Sequence, residues 1–158
     1  MSFLQILENL KQQLLKMKMQ FNPAPLFIII HHSGNNAGLF ADNEYHKSLW
    51  NFKSSLGWYL GYNYWIDYDG KVTQTRDDKE EGAHTIGYNK NSIGICCRGN
   101  FNLEQPSMFQ IQALDDLIRK KQKEYGIINN RVEGHQHFSN TSCPGKFLYK
   151  WLVKTFPN

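Results

Sequence analysis

No apolar run in this 158-residue chain approaches the ~20 residues that a membrane-crossing helix needs. The longest, Leu26-Phe27-Ile28-Ile29-Ile30, suits a buried strand. Cysteine is scarce: Cys96, Cys97 and Cys143 are odd in number and two are adjacent, which excludes a disulfide framework. There is no C-x-x-C and no H-x-x-x-H, so the chain is not a zinc finger. Internal repeats and low-complexity stretches are missing, and 41% hydrophobic with 20% charged residues is globular composition. Residues 1–19 lack a continuous apolar region and a small-residue cleavage site, because Glu8, Lys11, Lys16 and Lys18 interrupt the leucines. Synthesis in the cytoplasm, without a secretory signal, is the expectation. Positive charge is thinly spread for a net of +4. The one cluster, Arg119-Lys120-Lys121 with Lys123, lies beside Asp115, Asp116 and Glu124 and is expected to be a solvated helix face. No nucleic-acid partner is expected from it.

What is present reads as one mixed α/β domain of residues 23–158, preceded by an amphipathic helix and linker at 1–22. Leu4, Ile6, Leu7, Leu10, Leu14 and Leu15 recur at helical spacing, and Asn22-Pro-Ala-Pro25 breaks the pattern. Residues 26–31 form a strand ending in His31-His32-Ser33. Asp42 is placed to cap a helix through about Leu56 that buries Tyr45, Leu49, Trp50 and Phe52. Residues 62–68 and 71–74 make a hairpin about Asp69-Gly70. Ser92–Arg98 is a further strand, with Cys96 and Cys97 inert in it. Pro106-Ser107 opens a helix to about Tyr125 with Met108, Ile111, Leu114, Leu117 and Ile118 on one face, and Gly126 ends it. A short strand at Arg131–Glu133 leads into "GHQHFSNTSCPG", and a last helix runs from Gly145 to about Phe156.

The chemistry concentrates in two places. His31 stands at the end of a buried strand, where many α/β proteins put functional groups. His135, His137 and Cys143 stand together before a Pro-Gly turn. Two imidazoles and a thiolate suit a borderline-soft ion such as zinc with one position left open. The same thiol, ahead of a helix and near a histidine, also suits a cysteine nucleophile. The residue types alone leave both open.

Four ordered pieces resemble the zinc-dependent N-acetylmuramoyl-L-alanine amidases, the family that includes bacteriophage amidase lysozymes and animal peptidoglycan recognition proteins. They are "FIIIHHS", "GYNYWIDYDGKVTQTR", "GAHTIGYNKNSIGICCRGNF" and "GHQHFSNTSCPGKF", spread over about Leu26 to Phe156. The resemblance implies a central mixed sheet flanked by helices and a Zn2+ held by His31, His135 and Cys143. It implies Tyr62 beside the reacting water and Thr141 as oxyanion partner, where the phage branch tends to have lysine. His84, His32 and Asn63 are assigned to the substrate side, Asn63 standing where the phage branch has histidine; His137 is off the ligand register. The implied activity is cleavage of the amide between N-acetylmuramic acid and L-alanine, by a monomer acting on peptidoglycan without membrane insertion. Phage-type release to the wall is the expected setting, and cytoplasmic recycling the alternative. Two other functions remain: a peptidoglycan-binding module without catalysis, and a metal-free cysteine peptidase acting on stem peptides.

Overall fold

The computed structural model describes residues 1–20 and 24–158, with side chains for 1–14 and 24–158. A helix α1 (Phe3–Gln20) precedes a five-stranded sheet of β1 (Phe27–His32), β2 (Tyr64–Ile66), β3 (Val72–Gln74), β4 (Ser92–Cys97) and β5 (Val132–Gly134). Three more helices flank it: α2 (Leu39–Trp50), α3 (Met108–Tyr125) and α4 (Lys146–Thr155). The sheet order is β3-β2-β4-β1-β5, all neighbours parallel except the β2–β3 hairpin. The fold is thus the mixed α/β domain expected. The expected break in the chain at Asn22-Pro23 lies outside the described residues, and the apolar side chains of α1 from Phe3 to Leu14 are exposed.

Strand alternation divides the sheet into two faces. Ile28, Ile30, Ile93, Ile95 and Cys97 point to one face, where Leu114, Leu117 and Ile118 of α3 and Leu148 and Leu152 of α4 close the main core. His31, Cys96 and Trp65 stand on the other, with Leu60, Trp58 and Tyr62 packed nearby. So the two adjacent cysteines separate: Cys97 is core, and Cys96 floors the face that carries the histidines. Helix α3 begins with a capping box. The Ser107 hydroxyl accepts from Gln110 N–H at 3.0 Å, and the Gln110 side chain accepts from Ser107 N–H at 3.0 Å. Gly126, with φ 68°, ends it as expected.

Several sequence expectations are corrected here. Helix α2 starts after Gly38 and ends at Trp50, so Asp42 lies in its first turn and does not cap it. Its buried residues are Asp42 and His46, whereas Tyr45, Leu49, Trp50 and Phe52 are exposed. The cause is that α2 lies over the polar, histidine-bearing face of the sheet and turns its polar edge inward. Met108 is exposed as well. Lys121 leaves the expected solvated face: it is buried and bonds Asp78 at 2.6 Å, and the same carboxylate accepts from the hydroxyls of Tyr64 (2.6 Å) and Tyr125 (2.9 Å).

Candidate metal centre and cleft

Parallel pairing assembles the site. Ile30 on β1 pairs with Gly134 on β5, so the residues that follow, His31 and His135, emerge side by side with ring centroids 4.6 Å apart. The chain then folds back on itself. Gln136 N–H donates to Cys143 C=O at 2.8 Å, and Cys143 N–H donates to the Thr141 hydroxyl at 3.2 Å. This closure returns Cys143 to β1, placing Sγ 3.6 Å from His31 Nδ1. One ligand atom from each of His31, His135 and Cys143 lies within 4.8 Å of the other two. The donors fit a zinc ion by type and number, two imidazoles and one thiolate, and they open onto a cleft of about 640 Å³.

The electrostatics favour ligation. Burial holds His31 well below the usual imidazole value, helped by His84, His135 and His32. Burial also lowers His135. Both rings are therefore neutral at neutral pH, with a lone pair to offer a cation. Burial pushes the Cys143 thiol up to about 12, only partly offset by the His32 backbone. That is the reverse of what an unaided nucleophile needs, and a bound cation is the group that would reverse it.

The other named residues fall into distinct places. Tyr62 lines the cleft, its ring 5.1 Å from that of His31, and burial followed by Cys96 and Cys143 keeps its phenol protonated. Thr141 spends its oxygen on the Cys143 amide but keeps its own hydroxyl proton to donate. His84 also lines the cleft, and its Nδ1 lies 2.9 Å from His31 Nε2. His32 borders the cleft with Nδ1 accepting from Phe101 N–H at 3.1 Å, and burial lowers it to about 4. His137 is exposed and pairs with Glu133 at 3.8 Å, away from the three donors. Asn63 is a correction. It is fully buried, its Oδ1 accepts from Gly94 N–H and its Nδ2 donates to Asp77 C=O, both at 2.8 Å. It ties β4 to the turn after β3 and offers nothing to a substrate.

Sequence reasoning passed over two residues beside the cleft. His46 accepts from Gly61 N–H at 2.9 Å and lies against Tyr62, ring centroids 5.3 Å apart. Trp50, one turn on, lines the cleft, as does Ile86, which is 90% exposed. The available signal was the i, i+4, i+8 row Asp42, His46, Trp50 on α2, masked by the apolar residues Tyr45, Leu49 and Phe52 beside it.

Residues 21–146 match the family described as N-acetylmuramoyl-L-alanine amidase, and the chain belongs to that family. Peptidoglycan-recognition protein SC1a of Drosophila melanogaster is 35% identical over 137 residues, covering 78% of this chain and 69% of that one. Among solved structures, the N-acetylmuramoyl-L-alanine amidase LysC of Clostridium intestinale URNW superposes with a TM-score of 0.73 at 29% identity, over 85% of this chain and 86% of its own. The ectodomain complex of peptidoglycan recognition proteins LCa and LCx bound to tracheal cytotoxin also superposes at 0.73, with 28% identity over 85% and 83% of the two chains. The fold expected from the resemblance is the fold found.

Proposed function

We propose that the protein is a zinc-dependent hydrolase of the amide bond joining the lactyl group of N-acetylmuramic acid to L-alanine of the peptidoglycan stem. The observation that carries this is the convergence of His31, His135 and Cys143 at the floor of an open cleft, in a member of the amidase family. Zinc held by these three would supply Lewis-acid polarisation of the scissile carbonyl and a water of lowered pKa. The protein's own groups do the rest. Tyr62, kept as the neutral phenol, can orient the attacking water and hand a proton to the departing amine of L-alanine. The Thr141 hydroxyl donates to the oxyanion, a contact typically worth ~10²–10³ in rate. His32 sits at the rim of the same cleft, and Trp50 and Ile86 form its apolar walls, as a muropeptide requires. One water is consumed, and a muramyl carboxylate and a free L-alanyl amine result.

The setting we propose is that of an endolysin, made in the cytoplasm and acting as a monomer on the wall after release. A second solved amidase of Clostridium intestinale URNW, the endolysin LysCS, superposes with a TM-score of 0.73 at 28% identity, which supports this. A recognition role without turnover is the second reading, favoured by the match to recognition proteins. Digesting purified peptidoglycan and weighing the products separates the two. Released stem peptides with a free L-alanine amine, and glycan strands left intact, are the expected result. Sedimentation of the protein with peptidoglycan and no release of peptides would leave it a binder.

A further inference from the structure

We propose that His84 is a positioning residue of the metal centre: it takes the Nε2–H of His31 and so turns the bare Nδ1 of His31 toward the ion. The inference rests on the zinc reading above and goes beyond it. Hydrogen-bond order sets the direction. The Ser92 hydroxyl donates to Tyr88 C=O at 2.6 Å, so its oxygen accepts from His84 Nε2 at 3.3 Å. With its proton on Nε2, His84 has an acceptor at Nδ1, which faces His31 Nε2 at 2.9 Å. The Thr85 hydroxyl lies 3.0 Å from His84 Nδ1 and 3.4 Å from His31 Nε2, so its proton faces the same His84 acceptor while its oxygen takes a share of the His31 N–H. The proton of His31 is thereby fixed on Nε2, and Nδ1 is left bare beside Cys143 Sγ. A metal-bound histidine that donates its other nitrogen to a fixed acceptor is a better and better-aimed ligand.

The protein is shaped to hold this ring. A Cβ on Gly94 would lie 2.7 Å from His84 Cγ, Cδ2 and Nε2, and one on Gly82 would lie 2.7 Å from Cδ2. The two glycines form a slot that admits a flat ring. The backbone amides of His84 and Thr85 both donate to Asn89 Oδ1, at 2.8 and 2.9 Å, which fixes the loop. With both ring nitrogens committed inside the protein, His84 has no hydrogen bond left for a substrate in the groove it borders.

The test is zinc affinity, measured on the full-length chain by competition with a chromogenic chelator, with the cobalt-substituted spectrum as a record of ligand geometry. His84→Phe keeps a flat ring and removes the acceptor, and it should weaken zinc by about 10–100-fold. His84→Asn, which returns an acceptor near the place of Nδ1, should recover part of that loss. Ser92→Ala should weaken zinc in the same direction although Ser92 lies outside the cleft lining. Folded His84→Phe with wild-type zinc affinity and an unchanged cobalt spectrum would overturn the proposal. If His84→Phe does not fold, Ser92→Ala decides, and unchanged affinity there overturns it. Wild-type chain that takes up no zinc overturns this and the zinc hydrolase together. The expected affinity losses in a protein that releases no peptides would sink the hydrolase and support the role of His84.

Discussion

In the proposed hydrolase, Cys143 would hold the metal and Tyr62 would use it. Replacing Cys143 by serine removes the one soft donor, so Cys143→Ser should lose tightly bound zinc and turnover together. Metal analysis beside a digestion assay checks this, and full activity in the metal-free variant would refute the ligand role. Tyr62→Phe removes only a hydroxyl. It should keep one zinc and lose about 10²–10⁴-fold in kcat, the range of a positioned proton-transfer group. Loss of zinc with the hydroxyl would show that Tyr62 acts on the metal. At this scale the three donors were legible as a candidate set because histidine and cysteine are few and chemically distinct. The residue types left metal and nucleophile open, and the resemblance singled out the ligand set. The buried place of Asn63 was not legible: an amide after a tyrosine reads as a surface group until its backbone partners are known.

Among the elements, β1, β4 and α3 followed their sequence patterns closely, because their apolar periods and the Ser107 and Gly126 caps are local signals. Helix α2 did not, since what it covers is polar and no local pattern says so. The α3 cation run failed for a related reason: Lys121 finds Asp78 from a distant loop. That pair links α3 to the turn after β3, and Tyr64 and Tyr125 complete it. Asp78→Ala would leave the buried Lys121 ammonium with Glu124 alone, 3.1 Å away and partly exposed, and would take the shared acceptor from Tyr64 and Tyr125. It should cost about 1.5–3 kcal/mol in urea unfolding, the range of a lost hydrogen bond to a charged group, since Glu124 still partners the ammonium. A change within ~0.5 kcal/mol would show the pair to be solvated in solution.

For the whole molecule, buried histidines tie stability to pH. Burial, followed by Arg76, lowers His46 from 6.5 to about 4, and burial, followed by His135 and Arg76, lowers His84 to about 3. The unfolded chain takes up these protons near 6.5 while the folded chain does not. Stability is therefore full above about 6.5 and falls as pH drops, until it levels near 4 for His46 and near 3 for His84. Each contributes a slope of up to about 1.4 kcal/mol per pH unit. The Tm of metal-free protein between pH 7 and pH 4.5 should fall accordingly, and His46→Gln should flatten the decline; an unaltered slope would discount His46. In the proposed function, three side chains from two strand ends and one returning loop would hold the ion that makes the cleft a hydrolase. Titrating zinc into metal-stripped protein while following release of L-alanine-terminated peptides tests it most directly. The account predicts activity that rises in proportion to zinc, stops at one equivalent and never appears in Cys143→Ser. Peptide release by the stripped protein, unchanged on adding zinc, would contradict it.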